Sequence, residues 1–123
     1  MPKDPSLNVY GDALAPCSTE PLTGYFRNGA CDTCAQDTGS HTVCAVMTAE
    51  FLAYSKYVGN DLSTPRPEYG FAGLKPGDGW CLCASRWMQA AEEHAAPLVN
   101  LSATHKRALE IIPLELLEAN AAP

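Results

Sequence analysis

The sequence predicts a single α+β domain spanning residues 1–123, with a small mixed sheet of short strands, about three helices and two long ordered loops. Short β-branched or apolar stretches alternate irregularly with segments of helical spacing. The turn-rich segment 1–40 and the irregular segment 59–79 separate them. A regular strand–helix alternation is missing from the sequence, and so is a glycine-rich phosphate loop. A doubly wound fold is therefore disfavoured.

The first regular elements are predicted directly after residue 40. His41–Met47 is short, apolar and β-branched, which is typical of a strand. Thr48 is a suitable helix N-cap, and Glu50 would meet the positive end of the helix dipole. Gly59 suits the position after a helix end, so a helix is predicted from Ala49 to Val58.

The remaining elements lie in the C-terminal half of the chain. Trp80–Cys83 is predicted to be a strand, and Ala84–Ala95 a helix because its apolar residues share one side. Three shorter elements follow: an extended segment Leu98–Leu101, a helical turn Thr104–Ala108 and a last helix Leu114–Asn120. Pro113 suits the first turn of that last helix.

The composition indicates which classes of binding partner are disfavoured and which cellular compartment is expected. The chain is acidic, with a net charge of −6, and no basic stripe is present to bind a nucleic-acid backbone. It contains no apolar run long enough to cross a bilayer, and residues 1–6 do not resemble a secretory signal. We therefore expect a cytoplasmic protein that binds neither nucleic acid nor membranes.

Cysteine is abundant for such a protein. In a reducing compartment, cysteines are expected to be buried thiols, metal ligands or reactive thiols. There are six: Cys17, Cys31, Cys34, Cys44, Cys81 and Cys83.

One hypothesis is a structural zinc site. Cys31, Cys34, His41 and Cys44 follow the pattern C-x₂-C-x₆-H-x₂-C, close to the spacing of loop-borne zinc ligands. Against it, His41 and Cys44 are three residues apart on a predicted strand and would face opposite sides. A redox role of the CxxC pair has less support, because Asp32 lies between the cysteines and no helix pattern follows.

A second hypothesis is a reactive thiol. Cys81 and Cys83 are predicted to share a strand face, and Cys83 lies where the next helix begins, one turn before Arg86. The helix dipole and the guanidinium would both favour a thiolate. Plain burial of both thiols is the alternative. The candidate bases are His41, His94 and His105.

A polar cluster follows the first predicted helix. Such side chains commonly bond to their own backbone and shape a turn. An ordered loop of this kind could also line a ligand cleft. The candidate ligand-binding residues are Asn60, Asp61, Ser63, Thr64 and Arg66.

Several motifs along the chain resemble one family. They are Pro16-Cys17-Ser18, Thr23-Gly24, His41-Thr42-Val43-Cys44-Ala45, Gly59 to Pro65, Gly73 to Asp78, and Trp80-Cys81-Leu82-Cys83 with Arg86-Trp87. Together they are similar to the bacterial domain-of-unknown-function 2237 family. The family pattern commonly has cysteine at the position of Ala30 and not at that of Cys34. This departure weighs against the CxxC pair and the four-ligand zinc site. The residues that match the pattern are Cys17, Cys31, Cys44, Cys81, Cys83 and His41. The resemblance therefore implies a composite thiol–imidazole site, and it carries no activity with it.

Two functions remain open at this point. The first is a small ligand-binding or enzymatic domain, with loop 60–79 over a site floored by Cys81, Cys83 and His41 as catalytic candidates. The alternative is a structural or protein-interaction domain with buried thiols, which could hold a structural zinc as its cofactor. The partner would be a small molecule in the first case and a protein in the second.

Overall fold

A three-stranded sheet forms the centre of the molecule. The computed structural model describes residues 3–123. Strands β1 (His41–Val46), β2 (Gly79–Cys83) and β3 (Leu98–Val99) are ordered β2-β1-β3 and pair antiparallel. A parallel bridge joins Val99 to Ala121 beyond β3. The predicted α+β class is confirmed.

Three α-helices accompany the sheet: α1 (Ala49–Tyr57), α2 (Ala84–Glu92) and α3 (Leu114–Ala119). Three 3₁₀ turns cover Pro67–Tyr69, Leu101–Ala103 and Lys106–Glu110. The prediction for α1 is confirmed, and the Thr48 hydroxyl accepts the N–H of Phe51 at 3.1 Å as an N-cap. Within residues 3–123, no helix has the length and apolar character needed to cross a membrane.

Helix α2 ends three residues before the predicted Ala95. His94 has a φ of 59°, and the N–H of Ala95 bonds back to the carbonyl of Ala90 at 2.8 Å. This left-handed ending satisfies helix carbonyls that would otherwise have no partner. The predicted turn at 104–108 also begins later, because the His105 ring rather than Thr104 accepts the first capping N–H, from Arg107.

The main core lies between the helices and one face of the sheet. Trp87 of α2 and Phe51 of α1 are almost fully buried beside Val43 and Leu82. The Trp87 indole N–H donates to the Pro97 carbonyl at 3.3 Å, so the burial of this ring leaves no polar atom unpaired. Burial of each such large side chain stabilises the fold by about 1.5–3 kcal/mol.

Two disulfides attach the turn-rich segment before β1 to the sheet. Cys17 bonds to Cys44 of β1, and Cys31 bonds to Cys81 of β2. The expectation that the cysteines are thiols is therefore wrong for four of the six. Cys34, which is buried, and Cys83, which is half-buried, lie outside the disulfides. These cross-links fix a segment that has little regular structure of its own.

A β-bulge changes the face on which His41 lies. Cys44 pairs with Cys81, but the pairing then shifts between Val43 and His41, so that His41 pairs with Cys83. Directly paired residues share a face, and Cys81 and Cys83 are two residues apart on one strand. His41, Cys44, Cys81 and Cys83 therefore all belong to one face. The prediction that His41 and Cys44 point to opposite faces is wrong because it assumed an unbroken strand.

Candidate active site

A cleft of about 430 Å³ runs along β2, which lies at one edge of the sheet. Its floor is β2, one wall is the segment 23–27, and loop 60–62 lies opposite. The Thr23 hydroxyl accepts the N–H of Cys81 at 2.8 Å and so ties the first wall to the strand. The lining residues are Thr23, Gly24, Tyr25, Arg27, His41, Asn60, Leu62, Trp80, Cys81, Leu82, Cys83 and Arg86.

Most of the predicted thiol–imidazole residues meet in this cleft. Cys81, Cys83 and His41 line it. Of the predicted ligand-binding residues, Asn60 lines it as well. Arg66 lines a neighbouring depression that shares Arg27, Leu62 and Trp80 with the cleft. Of the other candidate bases, His105 lines a different depression with Asp4 and Pro5, and His94 lies near the end of α3.

The imidazole of His41 is held by a buried carboxylate. Its Nδ1 lies 2.7 Å from Oδ1 of Asp37, whose side chain is fully buried, whereas the His41 side chain is 43% exposed. Oδ2 of Asp37 accepts the backbone N–H of His41 and the hydroxyl of Thr33, both at 2.9 Å. A carboxylate that accepts from Nδ1 places the proton there and leaves Nε2 as the proton acceptor.

Two neighbours fix the orientation of the same ring. Tyr25 stacks on it, with ring centroids 6.4 Å apart and an interplanar angle of 28°. Gly39 packs against its edge, because a Cβ at that position would lie only 2.8 Å from Cε1 of His41. A side chain at this position would therefore displace the ring, and the φ of Gly39 is not in the left-handed region.

Cys83 sits where β2 ends and α2 begins. It is the N-cap residue of α2, and its Sγ lies 3.1 Å from the hydroxyl oxygen of Ser85. The N-terminal end of a helix carries partial positive charge, which favours an anion there. Cys83 pairs with His41 across β1 and β2, and directly opposed residues in an antiparallel pair have Cβ atoms about 4.5–5.5 Å apart. Both residues line the cleft.

Cys81 is in the cleft as half of a disulfide rather than as a thiol. The sulfurs of Cys17, Cys31 and Cys81 lie within 4.8 Å of one another, so the two cross-links adjoin in a second small core. The predicted zinc quartet is divided: Cys31 and Cys44 belong to different disulfides, Cys34 to neither, and His41 bonds to Asp37. A sulfur in a disulfide has no thiolate to offer a metal.

The carboxylate between the two cysteines of the CxxC pair has a structural role. Asp32 is buried and accepts hydrogen bonds from Ser6 at 2.6 Å, Asn28 at 3.1 Å and Lys3 at 3.3 Å. Burial opposes its ionisation, yet these three bonds together hold its pKa below the usual value. Asp32 therefore joins the N-terminal segment to the loop that carries Cys31.

The polar residues after Asn60 shape a turn. Asp61 accepts the backbone N–H groups of Ser63 and Thr64 at 3.0 and 3.1 Å, and it also accepts the Thr64 hydroxyl. The Thr64 hydroxyl is the main cause of the lowered pKa of Asp61. Neither Asp61, Ser63 nor Thr64 is among the residues that line the cleft. Their contribution is to hold Asn60 and Leu62 in place.

Sequence reasoning missed several residues of this site. Asp37 was not selected, although an acidic residue four positions before His41 could have suggested a partner for its ring. Arg27, Tyr25 and Thr23 lie in a stretch that looked only turn-rich. Their position depends on the Cys31–Cys81 cross-link and on the bond from Thr23 to β2, which no local pattern encodes.

The fold and the cleft define a class: a small, disulfide-braced α+β domain whose cleft is lined by a carboxylate-bound imidazole and by a cysteine outside the disulfides. The family model described as "Uncharacterized protein conserved in bacteria (DUF2237)" matches residues 7–121. The chain therefore belongs to the DUF2237 family, as its motifs predicted. No curated protein gives a significant match to the chain.

Proposed function

We propose that this protein is a thiol-dependent enzyme acting on a small molecule bound in the cleft. Cys83 is the nucleophile, His41 its base, and Asp37 the residue that positions the base. The observation that carries the proposal is the 2.7 Å contact between Asp37 and Nδ1 of His41, a residue that pairs with Cys83 across β1 and β2 and lines the same cleft. A nucleophile, a base and a group that orients the base are the three parts of such a site.

The simplest step for this arrangement is addition of the thiol to an activated acyl group. Nε2 of His41 accepts the proton of the Cys83 thiol while Sγ forms a bond to the carbonyl carbon. The bond from that carbon to the leaving group then breaks, and the leaving group takes the proton from the imidazolium. Water releases the acyl group from Cys83 by the same proton route, so no external oxidant or reductant is needed.

The proposal predicts that Cys83 reacts unusually fast. Alkylation by iodoacetamide at neutral pH, followed by peptide mass spectrometry, should be about tenfold faster at Cys83 in the native protein than in the same protein in urea, because a positioned base assists the thiol. The disulfides stay intact in both samples. An equal or slower native rate would overturn the proposal.

Variants separate the base from its positioning residue. His41→Asn should abolish the native rate advantage, whereas Asp37→Glu should retain more of it than Asp37→Asn, since Glu keeps a carboxylate. The matched control is His94→Asn, which removes an exposed histidine outside the cleft. If His41→Asn and His94→Asn alkylate alike, His41 is not the base.

The partner in this proposal is a small molecule. The alternative is an interaction domain with inert thiols, which predicts that Cys83 reacts no faster in the native protein than in urea.

The cytoplasmic location remains a prediction. The disulfides bear on it, because such bonds persist mainly in oxidising compartments. A thiol count on acid-quenched cells, with two thiols per chain in the oxidised form and six in the reduced form, would distinguish the two locations.

A further inference from the structure

We infer that the substrate of this cleft is a small organic anion, bound through a carboxylate or phosphate group by Arg27 and Arg86. The inference rests on the proposed function, because it concerns the ligand of the same site. It begins from charge: the chain has fourteen acidic and eight basic residues, yet no Asp or Glu lines the cleft. Arg27, Arg86 and His41 do.

Neither guanidinium is neutralised by a neighbouring carboxylate. Within residues 3–123, the ion pairs involve Lys3, His41 and Arg107, and neither Arg27 nor Arg86 takes part in one. The Arg86 guanidinium donates a hydrogen bond to the neutral amide oxygen of Gln89, at 3.4 Å. The buried Asp37, whose carboxylate holds His41 of the site, is already bonded to that ring. Both arginines therefore keep their charge available for an anion.

Arg27, in the wall formed by segment 23–27, is held in place beside the cleft. Its guanidinium carbon lies 5.5 Å from the centroid of the Trp80 ring, in a cation–π contact, and Trp80 in turn packs on Phe71 at 5.6 Å. Its backbone is left-handed, with a φ of 53°, and its N–H donates to the Gly24 carbonyl at 3.0 Å. Fixing Arg27 in this way reduces the entropy lost when it binds a ligand.

The positive character continues beyond the cleft. The neighbouring depression, which shares Arg27, Leu62 and Trp80 with it, adds Arg66 and again no carboxylate. Three of the eight basic residues of an acidic chain thus line two adjoining depressions that share Trp80. A concave site that concentrates positive charge on an otherwise acidic protein attracts anionic ligands. The apolar rings beside the arginines suit the carbon skeleton of an organic anion.

The test compares two alkylating reagents that differ in charge. Cys83 is alkylated with iodoacetate and with iodoacetamide, in the native protein and in urea with the disulfides intact. The iodoacetate-to-iodoacetamide rate ratio should be about tenfold higher in the native protein, and salt should reduce it. Arg27→Gln and Arg86→Gln should each lower the ratio about threefold. Lys75→Gln, the same charge change on an exposed residue outside the cleft, should not.

Two competitors then identify the anionic group. Inorganic phosphate or malonate is added at millimolar concentration during alkylation with iodoacetamide. Protection of Cys83 by phosphate alone indicates a phosphorylated substrate, and protection by malonate alone or by both indicates a carboxylate site. No protection by either, or a rate ratio equal to that in urea, overturns the inference. Its failure leaves the fast iodoacetamide reaction of Cys83 intact, whereas failure of the proposed function removes that reaction.

Discussion

Removal of the Cys31–Cys81 disulfide should cost about 4 kcal/mol of folding free energy. The cross-link closes a loop between residues 50 apart in sequence. For a loop of that length, the entropy removed from the unfolded chain corresponds to about 4 kcal/mol at 25 °C. With about 2.1 cal/mol/K of unfolding entropy per residue, a 123-residue chain would lose about 15 °C in Tm.

The assay is thermal unfolding of the double variant Cys31→Ala, Cys81→Ala, followed by circular dichroism without reductant. The control is Cys83→Ala, which truncates a cysteine outside the disulfides and should shift Tm by no more than about 2–3 °C. A double variant that melts within about 3 °C of the wild type would refute the entropy argument. Six reactive thiols in the unreduced, denatured wild type would refute the disulfides themselves.

Three further predictions follow from the site and its surroundings. Gly39→Ala should slow Cys83 alkylation at least threefold while Tm changes little, because the new Cβ would displace the flexible His41 ring from a position 2.8 Å away; an unchanged rate would contradict this. Burial lowers the pKa of His105 from its usual 6.5, so the unfolded chain binds that proton more readily and stability should fall as pH drops below about 6.5. The decrease in Tm between pH 7.5 and pH 5.5 should be smaller in His105→Gln than in the wild type. Equal decreases would disprove that protonation of His105 causes the loss of stability. Dialysis against EDTA should leave Tm unchanged, because four cysteines are in disulfides; about one zinc per chain in metal analysis would contradict it.

Local features could be predicted from the sequence where neighbouring residues determine them. The cap at Thr48 and the strand before it were predicted correctly, because a polar N-cap and an apolar β-branched run act within a few residues. The placement of Cys83 at the start of α2 was predicted for the same reason. The end of α2 was not, since a left-handed residue at His94 has no strong signature.

The sequence by itself determined the order of strands and helices, the thiol at a helix start and the excess of acidic residues, because each depends on composition or short-range spacing. Only the tertiary structure decided which cysteines pair, since four half-cystines allow three pairings and the chain between them sets no preference. It also decided that a bulge pairs His41 with Cys83 and that Asp37 holds the ring. The disulfides and the pairing of His41 with Cys83 join backbone segments whose approach depends on the packing of the whole domain, whereas Asp37 is only four residues from His41.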